Sequence, residues 1–75
     1  MQITEAARTS SVVYVELNQG DWLEIRGGHD WGRVDIPGLA TPFRGLEAAQ
    51  DRLASCGGNL PVRRIVSESE AYDVE

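Results

Sequence analysis

One segment, TPFRGLEAAQDRLASCGGNLPVRR from Thr41 to Arg64, constrains the fold more than any other, because it carries a start and a stop around one apolar periodicity. Thr41 can accept from the free N–H groups of a first helical turn, and Pro42 suits the first helical position because it has no N–H to leave unpaired. Phe43, Leu46, Ala49, Leu53 and Cys56 then recur at a spacing that places them on one helical face. Gly57-Gly58 ends the pattern, since glycine adopts the left-handed cap conformation without a Cβ clash. The segment therefore predicts one amphipathic helix, opened at Thr41 and closed at Gly57, that must pack on something.

The rest of the chain supplies a sheet for it. Val12 to Leu17 alternates, with Val13, Val15 and Leu17 on one face and Val12, Tyr14 and Glu16 on the other. The turn cluster Asn18-Gln19-Gly20-Asp21 has the length that joins antiparallel strands. Trp22 to Arg26 repeats the alternation, with Leu23 and Ile25 inward and Trp22, Glu24 and Arg26 outward. Gly27-Gly28-His29-Asp30 breaks the chain, Trp31 to Ile36 returns as a third strand, and Pro37-Gly38 ends it. After the helix, Leu60 to Val66 reads as a fourth strand, with Pro61 placing its start at an edge or bulge.

The predicted fold is thus α+β, an antiparallel sheet in β-β-β-α-β order with one helix packed on one face. Residues 12–66 form the single domain, residues 1–11 are a flexible or short helical N-terminus, and residues 67–75 (SESEAYDVE) an acidic flexible tail. At 75 residues the chain is near the size where one core is only just sufficient, which excludes a two-domain enzyme with an interdomain cleft.

Charge and cysteine usage narrow the chemistry. The formal net charge is −5 and all seven basic residues are arginine, so the chain lacks the positive footprint that nucleic-acid binding needs. A lone cysteine rules out an intramolecular disulfide and a cysteine metal cluster. The N-terminal MQITEAARTSS has no apolar core and no segment approaches a membrane span, so the expected compartment is the cytosol. Cys56 on the apolar stripe reads as a small hydrophobe, and His29 as a turn residue, rather than as a nucleophile and its base. Gly27-Gly28 lacks the lysine and the spacing of a phosphate loop, and reads as a hairpin turn. No convergent acid, base and nucleophile, no cofactor and no metal are expected.

Trp22 and Trp31, joined by Tyr14, admit two readings. They form an aromatic patch on the sheet face away from the helix, or they cover the edges of a small core. Under the first, Tyr14, Trp22 and Trp31 anchor a partner, with Glu24 and Asp35 as rim charges, and the chain is a non-enzymatic module that occludes its target. The expected partner is a protein with a basic surface, not nucleic acid and not a membrane, and a homodimer stays open.

Two resemblances add to this. A hairpin of the form VxVEL…LEIR (Val13, Val15 and Glu16, then Leu23 and Ile25) is followed by Asp30-x-Gly32 and by Arg44-Gly45-Leu46. The helix then ends on RL…GG-x-L-x-V, from Arg52 and Leu53 through Gly57-Gly58 to Leu60 and Val62. In this order, Val12 to Arg63 resembles the later half of a histidine-kinase-type ATPase domain of the GHKL superfamily, and Glu5-Ala6-Ala7-Arg8 is similar to the end of its asparagine-box helix. The resemblance implies that Asp30 contacts an adenine amino group, with Gly32 admitting the backbone. Glu5 stands where the metal-orienting asparagine falls, Val34 replaces the second glycine, and Thr41-Pro42-Phe43 interrupts the lid. What it implies is therefore a nucleotide-binding fragment without ATP hydrolysis. Separately, Ile36-Pro37-Gly38-Leu39-Ala40-Thr41 followed by Leu46-Glu47-Ala48-Ala49 is similar to the PG…T…LEEA segment of HicB-type antitoxins. That likeness implies a small toxin as partner and a non-catalytic role.

Overall fold

A computed structural model describes residues 2–28, 30–55 and 60–73. Among these, the elements in chain order are β1 (Gln2–Ile3), α1 (Glu5–Thr9), β2 (Val13–Asn18), β3 (Asp21–Gly27) and β4 (Asp30–Val34). A short 3-10 turn (Pro37–Leu39), α2 (Leu46–Ser55), β5 (Arg64–Ser67) and α3 (Glu68–Tyr72) complete them. The class is α+β. The sheet runs β1-β5-β2-β3-β4 and is mixed: β2, β3, β4 and β5 pair antiparallel, while β1 lies parallel to β5. The all-antiparallel sheet is corrected by that outer pair. A two-residue strand is too short to show a periodicity, and its pairing depends on β5 being there to receive it.

The predicted helix start is displaced. Thr41 is not a cap: its N–H donates to the Leu23 carbonyl at 3.1 Å and its hydroxyl accepts from Ile25 N–H at 2.7 Å. Phe43 exchanges two 2.9 Å backbone bonds with Val13. Residues 41–43 therefore bridge β2 and β3 where those strands part beyond a register shift between Glu16 and Asn18. Gly45, at φ +107°, turns the chain out of this bridge, and its carbonyl accepts the Ala49 N–H at 3.2 Å as α2 begins. The apolar stripe survives the shift, because Phe43, Leu46, Ala49 and Leu53 all join the same core. The closure at Gly57-Gly58 lies outside the described residues, as do Cys56 and His29.

That first core also holds Ala7 of α1, Val13, Val15 and Leu17 of β2, Leu23 of β3 and Ile65 of β5. A second core occupies the opposite sheet face: Tyr14, Trp22 and Val66 beneath Ala40 and Ala71. One helix on one face is thus corrected to helices on both, α1 and α2 on the first and α3 with the 3-10 turn on the second. The fourth strand begins later than Leu60, because Val62 N–H donates to the Leu60 carbonyl at 2.9 Å and closes a tight turn on Pro61.

The acidic tail is also corrected over its described residues. Ser67 accepts from Glu70 N–H at 3.2 Å, and the Glu70 carboxylate accepts from Ser67 N–H at 2.9 Å, a reciprocal capping box that starts α3. The same carboxylate accepts from the Thr4 hydroxyl at 2.6 Å, and Thr4 itself caps α1 by accepting from Ala7 N–H at 3.2 Å. Burial of Ala71 then seats α3 on the sheet. Ser67→Ala is expected to cost about 1 kcal/mol, lowering the melting temperature by roughly 4–8 °C. A melt indistinguishable from that of the parent chain would show that the box does not hold α3.

Candidate functional site

The two-sided covering of the sheet decides what the aromatic residues can do. Tyr14 and Trp22 share a face, as the alternation requires, and meet edge to face at a centroid distance of 6.5 Å. They are nevertheless inside, 4 % and 2 % exposed, because α3 and Ala40 close over them. Trp31 pairs with Ile25 across the β3–β4 ladder and so lies on the other face, half-buried against the first core. Of the five residues expected to meet a partner, the three aromatics do not form one exposed patch. Glu24 is engaged by Arg26, whose Nε donates to it at 3.0 Å. Asp35 alone stands exposed as a rim charge should, next to Ile36.

The residues singled out by the ATPase resemblance lie on β4. Asp30 is exposed at the start of the strand. The Arg26 guanidinium lies across Gly32, where a Cβ would collide with it. The space beside Gly32 is thus taken by the end of a flexible cross-strand arginine paired with Glu24. Gly27 and Gly28 both take positive φ in the β3–β4 connection, and the Gly28 carbonyl accepts from Arg52 Nη2 at 3.0 Å.

What the sheet face does present is built around the 3-10 turn. Pro37 starts the turn, Leu39 N–H donates to the Ile36 carbonyl at 3.2 Å, and Ala40 N–H to Pro37 at 3.0 Å. Ala40 faces the second core, which leaves Ile36 and Leu39 outward, 51 % and 58 % exposed. Tyr72 of α3 reaches the same turn: its hydroxyl stands 3.9 Å from where a Cβ on Gly38 would sit, and the residue is 56 % exposed. Tyr72 rests edge to face on Tyr14 at 5.8 Å, with 3.5 Å between the two hydroxyl oxygens. Burial, the Tyr72 hydroxyl and the nearby charges of Tyr72 and Glu68 push the Tyr14 phenol up to about 12, so it stays neutral. Among the described residues, Ile36, Leu39 and Tyr72 are the exposed large hydrophobics. Asp35, Glu68 and Asp73, all exposed, adjoin them along the chain or on α3.

Sequence reading missed this trio for one reason. The pattern places Ile36 in a strand, Leu39 in a connecting loop and Tyr72 in the tail, so nothing in the sequence joins them. The signal was present in Ser67-x-x-Glu70, a helix-start motif that turns the tail into an element with a face.

The buried charge among the described residues lies on this same sheet face. Glu16, 1 % exposed, accepts from Arg63 Nη1 at 2.6 Å, from Arg64 Nε at 2.5 Å and from Gly20 N–H at 3.4 Å. Burial pushes its carboxyl up, but the two arginines and the Gly20 N–H outweigh that and hold it below the usual carboxylate range. Among the described residues no three His, Cys, Asp or Glu side chains are placed to share a metal ion, and no helix is long and apolar enough to cross a membrane. Compared with known family models, with curated proteins and with solved structures, the chain shows no match in any of the three.

Proposed function

We propose that this chain is a small non-enzymatic module that binds another protein and acts by occluding it. The observation that carries the reading is the grouping of Ile36, Leu39 and Tyr72 at one turn while Trp22 is buried in the second core and Trp31 is half-buried against the first. Burying Trp22 while leaving three apolar side chains grouped in water is a distribution that suits a contact surface. Asp35, Glu68 and Asp73 give that surface an acidic rim, in a chain whose formal net charge is −5. The partner is accordingly a protein presenting an apolar pocket ringed by arginine or lysine, with the rim steering the encounter and the trio holding the complex.

Leu39→Asp tests this. Leu39 is 58 % exposed, so the change leaves both cores intact and the melting temperature near that of the parent chain. It places a buried charge at the centre of the interface and is expected to weaken binding by about 2 kcal/mol or more, roughly thirtyfold in Kd. The partner is isolated by affinity capture with the tagged chain from source-cell lysate, and titrated calorimetrically against both proteins at two salt concentrations. Equal affinity for the parent chain and Leu39→Asp would exclude the turn as the contact, and affinity indifferent to salt would exclude the acidic rim.

A further inference from the structure

We infer that the β4 edge of the sheet is a self-recognition surface, on which a second copy of this chain pairs antiparallel with its two-fold axis through Gly32. The surface is distinct from the Ile36–Leu39–Tyr72 turn. β4 ends the sheet order, with β3 on one side of it and no strand on the other among the described residues.

The direction of its backbone groups follows from bonds one strand away. Thr41 donates to the Leu23 carbonyl and its hydroxyl receives the Ile25 N–H, so Leu23 and Ile25 turn their peptide groups toward β2. Alternation then turns those of Trp22 and Glu24 toward β4, where they pair with Val34 and Gly32. Trp31 and Arg33 occupy the intervening pairs, opposite Ile25 and Leu23. Their N–H and C=O groups therefore point out of the sheet, an open ladder two residues apart.

A two-fold axis normal to the sheet keeps each face continuous across the junction, so facing residues must come from the same face. Trp31 and Arg33 share one. Centred on Gly32, each Trp31 faces the Arg33 of the other copy, and each such pair exchanges both of its N–H···O bonds. The guanidinium then lies beside the indole, a favourable cation–π contact. Centring the axis on Arg33 sets two guanidiniums against each other, and centring it on Trp31 leaves both arginines without the ring. Arg33 is exposed, and none of the ion pairs among the described residues uses it, so it is free to serve. Gly32 at the axis lets the two backbones approach, and the Arg26 guanidinium that lies over each Gly32 is already paired with its own Glu24, unlike Arg33. At physiological salt the Debye length of about 8 Å screens most of the repulsion between two acidic copies.

The test is sedimentation equilibrium on the full chain from micromolar to millimolar concentration, with amide hydrogen exchange on the same samples. The expected mass rises from 8.2 kDa to twice that value. Trp31 and Arg33 amides become protected in step with the dimer, whereas Gly32 and Val34 are protected at every concentration. Arg33→Glu loses the dimer and Leu39→Asp keeps it. A chain that stays monomeric throughout overturns the inference, including the case in which the edge takes a strand from a different protein. So does a dimer that survives Arg33→Glu, one lost in Leu39→Asp, or one whose added protection falls elsewhere than on Trp31 and Arg33. The exchange pattern of the unsubstituted chain decides the matter even where a variant does not fold.

Discussion

Trp22→Ala is expected to destabilise the fold by about 3–5 kcal/mol, the range for truncating a large buried aromatic. Trp22 is 2 % exposed, sits edge to face against Tyr14, and fills the second core between Ala40, Val66 and Ala71. At ~0.05–0.15 kcal/mol per residue, a chain of this length has only about 4–11 kcal/mol in total. One substitution thus removes a large share of the stability, and the melting temperature should fall by more than about 12 °C. The consequence for function is specific. Loss of a partner in Trp22→Ala would report unfolding, not a lost contact, so binding must be compared at matched folded fraction. Trp22→Phe keeps the ring contact with Tyr14 and should recover part of the loss. Thermal melting by circular dichroism reads both variants, and a Trp22→Ala shift below about 4 °C, equivalent to under 1 kcal/mol, would place Trp22 outside the core.

The alternation of Val12 to Leu17 and of Trp22 to Arg26 is legible because period two is a local property, and the structure puts Val13, Val15, Leu17, Leu23 and Ile25 against the first core and Val12, Tyr14 and Trp22 against the second, as the pattern assigns. The apolar stripe Leu46–Ala49–Leu53 was legible for the same reason at a period of 3.6. What escaped was non-local. Thr41 has the chemistry of a cap and sits in front of a proline, but β2 and β3 diverge and their open backbone groups claim it first. β1 has two residues and exists only through its partner β5. The tail departs furthest from its composition, because an acidic, weakly apolar segment carries the Ser67–Glu70 box that starts a helix. With α3 absent, the Tyr14–Trp22 face looks open. With α3 present, that face is a core and Tyr72 becomes part of the outer surface. The displacement of the candidate site from Trp22 to the 3-10 turn follows from that one element.

Replacing both Arg63 and Arg64 by methionine is expected to cost about 3–5 kcal/mol near neutral pH, because it leaves the Glu16 carboxylate buried without an opposite charge. Replacing Arg64 alone should cost about 1.5–3 kcal/mol, the scale of one hydrogen bond to a charged group, since Arg63 remains at 2.6 Å. The pH dependence separates this from ordinary loss of packing. In the parent chain burial raises the Glu16 carboxyl, but Arg64, Arg63 and the Gly20 N–H bring it below its ordinary value. A folded-state value below the unfolded one gives stability that is fully present above the ordinary glutamate range of about 4.3 and is lost as the pH falls through the folded value. The Glu70 carboxyl is also raised by burial and brought lower by Thr4, Ser67 and the charge of Arg64, so it adds to the same acid loss. Without the two arginines only the long Gly20 N–H bond opposes the burial contribution at Glu16, and its folded value is expected to move above the unfolded one. The folded state then binds a proton more readily than the unfolded chain, so the variant recovers stability as the pH falls from 7 toward the unfolded value. Urea unfolding of the two proteins between pH 7 and pH 4 should show their stability difference shrinking with acid. A difference that stays constant over that interval would mean that Glu16 is not held as a buried carboxylate by these two arginines.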